Sequence, residues 1–414
     1  MATLNPTIFR AYDVRGVYPD DFDAAFAQRL GDRVAAWLNP PTGGGTIIVG
    51  RDARASSDEL AYAVIDGAVH AGARVIDAGV LSTPQFYWAI RLLGAVGGIM
   101  VTASHNPARY NGFKVIANHG ETLEIIGGHA IRQVYDSGGH GYHAGGGIEH
   151  HDVIADYAAA VAYASGWKGG AELRISVEAP DAVLAVLKRL SPIAPDHGLA
   201  VRIDTDGDRI VFYDDGQLIP ADFIFLLLAE QLKLEPLVFD LRFSRTVKTR
   251  LQAWSVPFTV SKVGRLYLTD AMHRTGAAFG GEISGHYYWK EMGGMECPEL
   301  TLLRLYSIVR DSGKTLSELI APYRILHKSD EMSIPVRDRK EAASILHNIE
   351  AHFHDAVVNR EDGLTVEYDD WWFNIRPSNT EPVLRLVVEA QERNLLDQRV
   401  KEILAVSGHM APLR

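Results

Sequence analysis

The chain has 414 residues, of which 47% are hydrophobic and 22% are charged. This is the composition of an ordinary globular protein, and the length suggests about two to four domains. The formal net charge is −11 at pH 7, so extended nucleic-acid binding is not expected, because a phosphate backbone requires a basic protein face. A small phosphorylated substrate remains compatible with this charge if basic residues gather locally.

Targeting features point to the cytoplasm. The densest apolar run, FIFLLLA at 223–229, is far shorter than the roughly 20 residues that a membrane helix needs. The N-terminal MATLNPTIFR has no basic region followed by an apolar stretch, so no secretory signal is expected. The single cysteine, Cys297, excludes an internal disulfide and fits a reducing compartment. We expect a cytoplasmic monomer or homodimer with no membrane or nucleic-acid partner.

Three stretches share a pattern of strand, loop, helix and strand, at residues 46–79, 173–213 and 235–264. In the first stretch, apolar runs at 46–50 and 73–79 predict strands, and Ser56 with Ser57 predicts the start of the helix between them. Units of this kind build parallel-rich layers. The expected fold class is therefore α/β.

The C-terminal part has a different pattern. Strand-like segments at 362–390 surround a polar loop and precede a helix near 391–406, which predicts a smaller α+β domain from about residue 328. Earlier in the chain, the tract 137–152 is rich in glycine and histidine. A metal-binding tract is one interpretation. A flexible loop near a domain boundary is preferred, because neither cysteine nor a regular ligand spacing accompanies the histidines.

The motif TASHNP (102–107) contains a serine beside a histidine. Ser104 follows an apolar, strand-like run, so a strand delivers its side chain to a loop. The pair Ser104 and His105 is not a catalytic dyad by itself, because adjacent residues of an extended segment point in opposite directions. The nucleophile elbow G-x-S-x-G is also absent. From the motif alone, Ser104 is either a capping hydroxyl or a nucleophile.

The motif DTDGDR (204–209) places three aspartates at alternate positions between two strand-like runs. Carboxylates held this close raise one another's pKa values unless a cation compensates, and hard oxygen ligands suit Mg²⁺ or Ca²⁺. A calcium-binding EF-hand is excluded, because Arg209 stands where that loop needs glycine and the flanking segments are not helical. A solvated acidic turn is the alternative. Three aspartate ligands would leave coordination positions open for a phosphoryl oxygen.

The motif GGEISGH (280–286) alternates Glu282, Ser284 and His286. In an extended loop these side chains face one way, and a carboxylate beside a hydroxyl suits the vicinal hydroxyls of a sugar. An ordinary glycine-rich turn is the alternative.

The motif RPSNTEP (376–382) suits an anion. Arg376 can fork onto a phosphate, and the following polar residues add neutral donors in a tight loop. Two prolines stiffen the ends of the loop and reduce the ordering cost of binding. A simple hairpin turn is the alternative. Near the N-terminus, FRAYDVRG (9–16) brings Arg10 and Arg15 into an apolar setting, where a structural ion pair is expected for one of them.

Together, these motifs resemble those of the α-D-phosphohexomutase family, which contains phosphomannomutases and phosphoglucomutases. They also follow one another along the chain in the same order as in that family. FRAYDVRG and VFDLRFSR (238–245) resemble its bacterial phosphomannomutase/phosphoglucomutase branch. The resemblance implies three related mixed α/β units, the second shortened, plus a C-terminal α+β domain around a central cleft. The implied domains are 1–147 with the phosphoserine, 148–234 with the metal loop, 235–327 with the sugar loop and 328–414 with the phosphate loop.

The resemblance also implies a reaction. Hexose 1-phosphate and 6-phosphate, of mannose or glucose or both, would interconvert through a phosphoserine and a hexose 1,6-bisphosphate, which would also prime the enzyme. One Mg²⁺ would be held by Ser104, Asp204, Asp206 and Asp208. The residues implied in the chemistry are Ser104, His105, Lys114, Arg15 and Arg209. Those implied in binding the phosphosugar are Tyr12, Arg242, Lys262, Arg265, Glu282, Ser284, His286, Arg376, Ser378, Asn379 and Thr380.

The sequence departs from the family in four places, one of which is the stretch YYWKEMGGMECPEL (287–300), which lacks the usual Asp-rich continuation. Arg242 stands where this branch usually carries lysine, and Arg265 stands where relatives often carry histidine or aspartate. The stretch from LRISVEAP to DTDGDR is also shorter than the family's second unit usually is. The identity of the general acid and base stays open among Lys114, Arg15 and His105.

Three alternative functions remain. A mutase for another hexose, such as glucosamine phosphate, is ranked lower because its relatives usually carry glutamine where Ile283 stands. A metal-dependent phosphatase would share the serine and the aspartates but would not need both the sugar and the phosphate loops. A non-catalytic sugar-phosphate-binding relative is disfavoured by the intact Ser104, Lys114 and aspartates.

Overall fold

The computed structural model describes residues 5–10, 12–38, 45–120, 122–137, 146–169, 172–196, 198–378 and 381–409. The described residues form two compact units. The first unit is built from Met1–Ile219 and Gly285–Thr315, and the second from Pro220–Ser284 and Leu316–Arg414. The predicted mixed α/β fold class is confirmed. The four predicted domains are a finer division, and they stay a prediction.

The largest sheet of the first unit has seven strands in the order β1-β5-β4-β2-β3-β7, with β6 beside β5. The ladders among β4, β2, β3 and β7 are parallel, and those that β5 makes are antiparallel. The strands are β1 (Val14–Val17), β2 (Thr46–Arg51), β3 (Arg74–Val80), β4 (Gly97–Val101), β5 (Tyr110–Asn118), β6 (Leu123–Ile126) and β7 (Gly147–His150). The helices are α1 (Ala24–Leu38), α2 (Ser57–His70), α3 (Thr83–Leu92) and α4 (Gly128–Asp136).

The first predicted unit is confirmed, since β2, α2 and β3 lie where the sequence predicts two strands and a helix. Leu60 and Val64 of α2 are fully buried in one apolar cluster with Ile47 and Val49 of β2. Helices α1 and α2 cross so closely that a Cβ atom at Gly67 would lie 1.9 Å from a backbone oxygen of α1. Glycine at this crossing is therefore required by backbone contact.

The next part of the first unit carries a smaller sheet of four strands in the order β13-β12-β11-β9 and a separate parallel pair, β10 and β8. Its elements are α5 (Ile154–Ser165), β8 (Leu173–Arg174), β9 (Ser176–Glu178), α6 (Asp181–Leu190), β10 (Ile193–Ala194), β11 (Leu199–Ile203), β12 (Ile210–Asp214) and β13 (Gln217–Ile219). Strands β11 and β12 pair antiparallel. The DTDGDR motif is thus the turn of a hairpin, as its flanking sequences predict.

The second unit begins with a parallel α/β layer in which β14 pairs with both β15 and β16. Its elements are α7 (Ala221–Leu232), β14 (Leu237–Asp240), α8 (Arg245–Ala253), β15 (Phe258–Ser261), α9 (Arg265–Thr275) and β16 (Phe279–Gly281). The apolar run at 223–229 is the buried part of α7. No helix among the described residues is both long and apolar enough to cross a membrane.

The chain then returns to the first unit. This segment contains an antiparallel pair of short strands and a helix, namely β17 (Tyr287–Trp289), β18 (Met295–Glu296) and α10 (Pro298–Ser312). Tyr157 of α5 donates a hydrogen bond of 3.1 Å to Glu299 of α10 inside the core. Buried polar contacts therefore anchor the returning segment to the first unit.

The C-terminal part of the second unit is an antiparallel sheet in the order β19-β24-β23-β22-β21, with β20 beside β24. Its elements are α11 (Leu316–Ile320), β19 (His327–Lys328), β20 (Met332–Pro335), α12 (Arg339–His352), β21 (Val357–Asn359), β22 (Leu364–Glu367), β23 (Trp371–Pro377), β24 (Val383–Ala390) and α13 (Arg393–Val406). One apolar cluster joins α12 and α13 to this sheet. The strands and final helix predicted from residue 362 onward are confirmed.

Candidate active site

Ser104 lies in the loop after β4, and its backbone adopts an unusual conformation. Its φ angle is +52°, in the left-handed region that residues other than glycine rarely adopt. The residue is buried, and its N–H donates a hydrogen bond of 2.9 Å to Oγ1 of Thr102. Such a strained position persists only where surrounding contacts hold it.

The acidic turn between β11 and β12 is held by the side chain of Asp204. Oδ1 of Asp204 accepts hydrogen bonds from the N–H groups of Asp208 (3.1 Å) and Arg209 (3.0 Å). Gly207 has φ +73°, and a Cβ atom there would lie 2.6 Å from Cβ of Ser82. This glycine is required both by the turn conformation and by the close approach of Ser82.

The structure brings the serine and the aspartates together. Oγ of Ser104 donates a hydrogen bond of 3.0 Å to Oδ1 of Asp206. The start of α3 holds the same aspartate, because Thr83 donates its N–H to the Asp206 carbonyl (2.7 Å) and its hydroxyl to Oδ2 (3.2 Å). Thr205 returns the contact by donating its hydroxyl to the Ser104 carbonyl (2.7 Å). Three loops of the first unit thus meet at one point.

The three aspartates fit a divalent cation. Each offers a carboxylate oxygen, and these oxygens all lie within 4.8 Å of one another. Burial, with the neighbouring charges of Asp208 and Asp206, raises the pKa of Asp204 well above its ordinary value. Among the described residues, Oδ2 of Asp204 is buried without a hydrogen-bond partner. A hard cation such as Mg²⁺ would satisfy this oxygen and offset the repulsion.

Basic side chains surround the acidic triad. Nζ of Lys114, on β5, lies 2.7 Å from Oδ2 of Asp206 and 3.4 Å from Oδ2 of Asp208. Nε of Arg209 lies 3.6 Å from Oδ2 of Asp204. Lys114 is therefore a buried cation of the site and not a surface lysine.

Arg15 belongs to the loop region around the serine. It pairs with Asp13 and donates a hydrogen bond of 2.7 Å to Oδ1 of Asn106. The structural ion pair expected for one of the N-terminal arginines is thus confirmed for Arg15. Tyr12 is half-buried and directly precedes Asp13.

Two histidines contact this site. Nδ1 of His105 lies 3.2 Å from Oγ of Ser104. Burial, together with the charges of Arg209 and Arg15, lowers the pKa of His105 to about 4, so its ring is neutral near pH 7. Nε2 of His286 lies 3.4 Å from Oδ1 of Asp208. His286 therefore lies beside the acidic triad, although its motif suggested a sugar contact.

In the second unit, Arg242 is enclosed by carboxylates. Its Nε and Nη2 donate to the two oxygens of Asp240 (3.1 and 2.8 Å), and its Nη1 donates to Glu331 (2.7 Å). Burial alone would raise the pKa of Asp240, but the Arg242 guanidinium lowers it below its ordinary value. Asp240 also accepts the N–H of Ile283 (2.9 Å). The ion pair between Asp240 and Arg242 therefore supports the backbone of the GGEISGH motif at Ile283.

The other sugar-loop residues surround the start of α9. Oε1 of Glu282 accepts the N–H of Gly264 (2.9 Å), and Arg265 is the first residue of α9. Nζ of Lys262 lies 5.6 Å from the centre of the Tyr267 ring. Ser284 is half-buried in the same segment as Glu282.

The phosphate motif places Arg376 at the end of β23. Burial and the neighbouring charge of Arg242 lower the pKa of Arg376. Its Nε is buried with no hydrogen-bond partner among the described residues. A buried guanidinium beside a second one favours an anion. Ser378 follows on the same loop, whereas Asn379 and Thr380 lie outside the described residues.

Comparison with known proteins identifies the family. The models described as phosphoglucomutase/phosphomannomutase, alpha/beta/alpha domain I, alpha/beta/alpha domain III and C-terminal domain match residues 6–139, 220–325 and 331–406. A protein named "Phosphohexose mutases" from Xanthomonas campestris pv. campestris is 30% identical over 445 residues, covering 95% of this chain and 98% of that protein. This chain belongs to the phosphoglucomutase/phosphomannomutase family.

Other relatives cover the phosphohexomutase chain to a similar extent. A protein named "Phosphomannomutase" from Methanocaldococcus jannaschii is 29% identical over 447 residues, covering 96% of both chains. A solved phosphoglucomutase/phosphomannomutase family protein from Burkholderia thailandensis has a TM-score of 0.83 and 25% identity, covering 98% of both chains. The alignments with the two relatives from X. campestris and M. jannaschii are longer than the 414 residues of this chain. This phosphohexomutase therefore lacks residues that those relatives carry.

Sequence reasoning missed several residues of the phosphohexomutase site. Thr83 and Thr205 hold Asp206 and the Ser104 carbonyl, as described above. Arg54 donates to the carbonyl oxygens of Ser104 and Asn106. Thr83 has one usable sequence feature, since it follows Ser82 in a capping box at the start of a helix. The capping box predicts where a helix begins, and it carries no information about the contact with Asp206.

Proposed function

We propose that this phosphohexomutase interconverts the 1-phosphate and 6-phosphate of a hexose, mannose or glucose or both, with Ser104 as the phosphoryl carrier. The observation that carries the proposal is the 3.0 Å hydrogen bond from Ser104 to Asp206 within the group of three carboxylates. The names of the relatives, phosphomannomutase and phosphohexose mutases, support the same reaction class. The four predicted domains remain part of this proposal as carriers of the serine, metal, sugar and phosphate loops.

The metal of the proposed site is Mg²⁺. Asp204, Asp206 and Asp208 would hold it together with an oxygen at Ser104, and the buried Oδ2 of Asp204 supports this assignment. When bound, the ion would supply positive charge to the phosphoryl oxygens. The charges of Lys114 and Arg209, beside the same carboxylates, would act in the same direction.

The proposed transfer asks little of the protein beyond positioning and charge. In the first step the bond between phosphorus and Oγ of Ser104 breaks, and a bond forms to the free hydroxyl of the sugar monophosphate. That hydroxyl releases a proton, and Oγ gains one. The neutral His105 ring, 3.2 Å from Oγ, is suited to exchange the proton at Oγ. Lys114 and Arg15 stay as alternatives for the proton at the sugar.

The bisphosphate formed by this step would reorient and return its other phosphate to Ser104. The second unit would bind the sugar in both orientations. Glu282 and Ser284 would contact its hydroxyls, and His286 would assist from beside Asp208. The basic and polar residues proposed to hold the phosphate group that is not reacting are Tyr12, Arg242, Lys262, Arg265, Arg376, Ser378, Asn379 and Thr380. The buried Nε of Arg376 supports this role.

A coupled assay with mannose and glucose 1-phosphates, primed with glucose 1,6-bisphosphate, tests the function. It is combined with intact-mass analysis of the wild type, Ser104→Ala and a control, Ser137→Ala, which changes an exposed serine at the end of α4. Wild type and control should isomerise the sugar phosphate and show a phosphate-sized mass increment. Ser104→Ala should show neither, and a chelator should abolish wild-type turnover until Mg²⁺ is restored.

The same assay separates the alternatives. Phosphate release without isomer formation would support a phosphatase. If glucosamine 1-phosphate is added as a third substrate, turnover of it alone would assign another hexose. Sugar-phosphate binding without any turnover would support the non-catalytic relative. Full activity of Ser104→Ala would show that another residue carries the phosphoryl group.

A further inference from the structure

The guanidinium of Arg54 donates hydrogen bonds along the loop that carries Ser104, here called the serine loop (102–110). Arg54 lies in the loop between β2 and α2, and its side chain is 9% exposed. Its Nε donates to Oδ2 of Asp52 (3.0 Å), and its two terminal nitrogens donate to backbone carbonyls. The four carbonyl acceptors are those of Ser104 (2.5 Å), Asn106 (2.8 Å), Pro107 (2.9 Å) and Tyr110 (3.2 Å). One side chain therefore contacts both ends and the middle of the loop that carries the serine.

The sheet topology explains why these two loops meet. Strands β2 and β4 are parallel neighbours, and Arg51 is paired with Val101 at their carboxyl ends. Arg54 and Ser104 lie at the same distance along the chain beyond these two paired residues, so their loops leave the sheet side by side. The N–H of Asp52 also donates to the Val101 carbonyl (3.0 Å). The contact of Arg54 with the serine loop thus follows from strand order.

Arginine suits this position because its guanidinium is planar, remains charged and offers five N–H donors in a fixed fork. A lysine ammonium is a single point of charge and cannot reach four carbonyls spread over seven residues. Asp52 fixes the fork in turn. Its Oδ1 accepts the backbone N–H of Arg54 (3.1 Å) and the hydroxyl of Ser57 (2.6 Å). Asp52 therefore holds both the backbone and the side chain of Arg54.

The bracketed loop contains the strained residue. A left-handed conformation at a residue other than glycine is strained and persists only where surrounding contacts hold it. The carbonyl of Ser104 accepts two hydrogen bonds, one from Arg54 and one from Thr205. Both donors fix the orientation of the peptide plane that follows Ser104. This plane and the φ angle set the direction of the Cα–Cβ bond of Ser104, and from there Oγ reaches Oδ1 of Asp206.

We propose that Arg54 is a positioning residue, which holds the serine loop in the strained conformation that points Ser104 at the acidic triad. This inference rests on the proposed function, because positioning matters only if Ser104 transfers a phosphoryl group. Arg54 acts through the loop carbonyls and takes no part in the chemistry. Its loss should slow transfer to Ser104 and leave the metal ligands in place.

The experiment compares Arg54→Ala and Arg54→Lys with a matched control, Arg51→Ala. Arg51 ends β2, is similarly buried at 11% exposure, and pairs with Asp58 and Asp77. Dephosphorylated protein is mixed with saturating glucose 1,6-bisphosphate and Mg²⁺, and the phosphate-sized mass increment is followed with time. Arg54→Ala should be slower by about 100-fold, as expected for a displaced reacting atom. When the measurement is repeated over a range of bisphosphate concentrations, the half-saturating concentration of Arg54→Ala should equal that of the wild type. The control should transfer at nearly the wild-type rate.

Two further measurements do not depend on mutase activity. Amide hydrogen exchange at 103–110 should accelerate in Arg54→Ala and not in the control, while exchange at 204–209 should stay as in the wild type. Mn²⁺ binding should be unchanged in both variants. Methylguanidinium should restore protection and transfer in Arg54→Ala alone. If the alanine variant does not fold, Arg54→Lys replaces it, and it should show the same loss of protection and rate.

The proposal is overturned if the Arg54 variants keep wild-type transfer and protection, or if the control loses both to the same degree. A wild type that takes no phosphate from the bisphosphate would refute the proposed function. In that case the exchange data still decide whether Arg54 holds the loop.

Discussion

The hydroxyl of Ser104 donates a 3.0 Å hydrogen bond to Asp206 across 102 positions of sequence. The serine follows a strand of the large sheet, and the aspartate lies in a hairpin turn of the smaller one. Thr83 at the start of α3 holds the aspartate in place through two hydrogen bonds. The contact between Ser104 and Asp206 therefore depends on a third segment, and this dependence can be tested.

Replacing Thr83 with valine should weaken metal binding and turnover. Thr83→Val keeps the size of the side chain but removes its hydroxyl from Oδ2 of Asp206, which should cost about 1 kcal/mol. Mn²⁺ affinity and kcat should fall several-fold with little change in KM. The control is Thr301→Val, which removes a buried hydroxyl that accepts from Trp289 and donates to the Cys297 carbonyl. Equal Mn²⁺ affinity in the two variants would contradict a role of Thr83 in holding Asp206.

Removing one charge from the triad should stabilise the metal-free protein. In Asp204→Asn the side-chain oxygen can still accept the two backbone N–H groups, while repulsion with Asp206 and Asp208 is reduced. With a chelator, this variant should unfold at a temperature equal to or above that of the wild type. Mg²⁺ should raise the unfolding temperature of the wild type, because it binds the folded state, and should have little effect on the variant. The control is Asp215→Asn, an exposed change outside the triad, which should respond to Mg²⁺ as the wild type does. A full Mg²⁺ response of Asp204→Asn would argue against a metal site at the triad.

Glu299 should make stability depend on pH. Burial raises the pKa of Glu299 from 4.5 to about 7. The folded chain therefore favours the protonated carboxyl, and the stability from this group is lost as the pH rises from about 4.5 to about 7. Glutamine stays neutral, so the unfolding free energy of Glu299→Gln relative to wild type should rise by about 3 kcal/mol across this window. Urea unfolding of both proteins at a series of pH values measures this difference in unfolding free energy.

The control for Glu299 is Glu172→Gln, at an exposed position of the same unit. Its difference from the wild type should stay constant with pH. A constant difference for Glu299→Gln as well would mean that Glu299 titrates in the folded protein as it does in the unfolded chain.

Breaking the buried fork of Asp240 should destabilise the second unit. Asp240→Asn places an amide nitrogen against the guanidinium of Arg242 and leaves that charge without its full partner, which should cost about 3–5 kcal/mol. The N–H of Ile283 would also lose a carboxylate acceptor, so the KM for sugar phosphate should rise. Asp270→Asn breaks an exposed pair with Arg274 and should cost only about 0.3–0.5 kcal/mol. Urea unfolding of both variants measures the difference, and equal losses would refute the importance of the buried fork.

Much of the fold could be predicted from local patterns. The strands and helix of 46–79 follow from apolar periodicity and a serine start, and the strands around DTDGDR follow from their apolar runs. Ser104 and the three aspartates could be singled out as candidates because a serine after a strand and carboxylates at alternate positions are local features, whereas Lys114 became a candidate through the family resemblance. The support from Arg54 and Thr83 could not be found in this way, since each acts on residues far along the chain.

The amino-acid sequence by itself determined the α/β class, the order of the motifs and the family that they resemble, because these depend on residue types and short spacings. Only the tertiary structure decided that Arg242 is forked onto Asp240, that His286 lies beside Asp208 and that Arg54 brackets the serine loop. The reason is physical. A hydrogen bond acts over about 3 Å, and strand order and loop packing decide which distant residues approach within that distance.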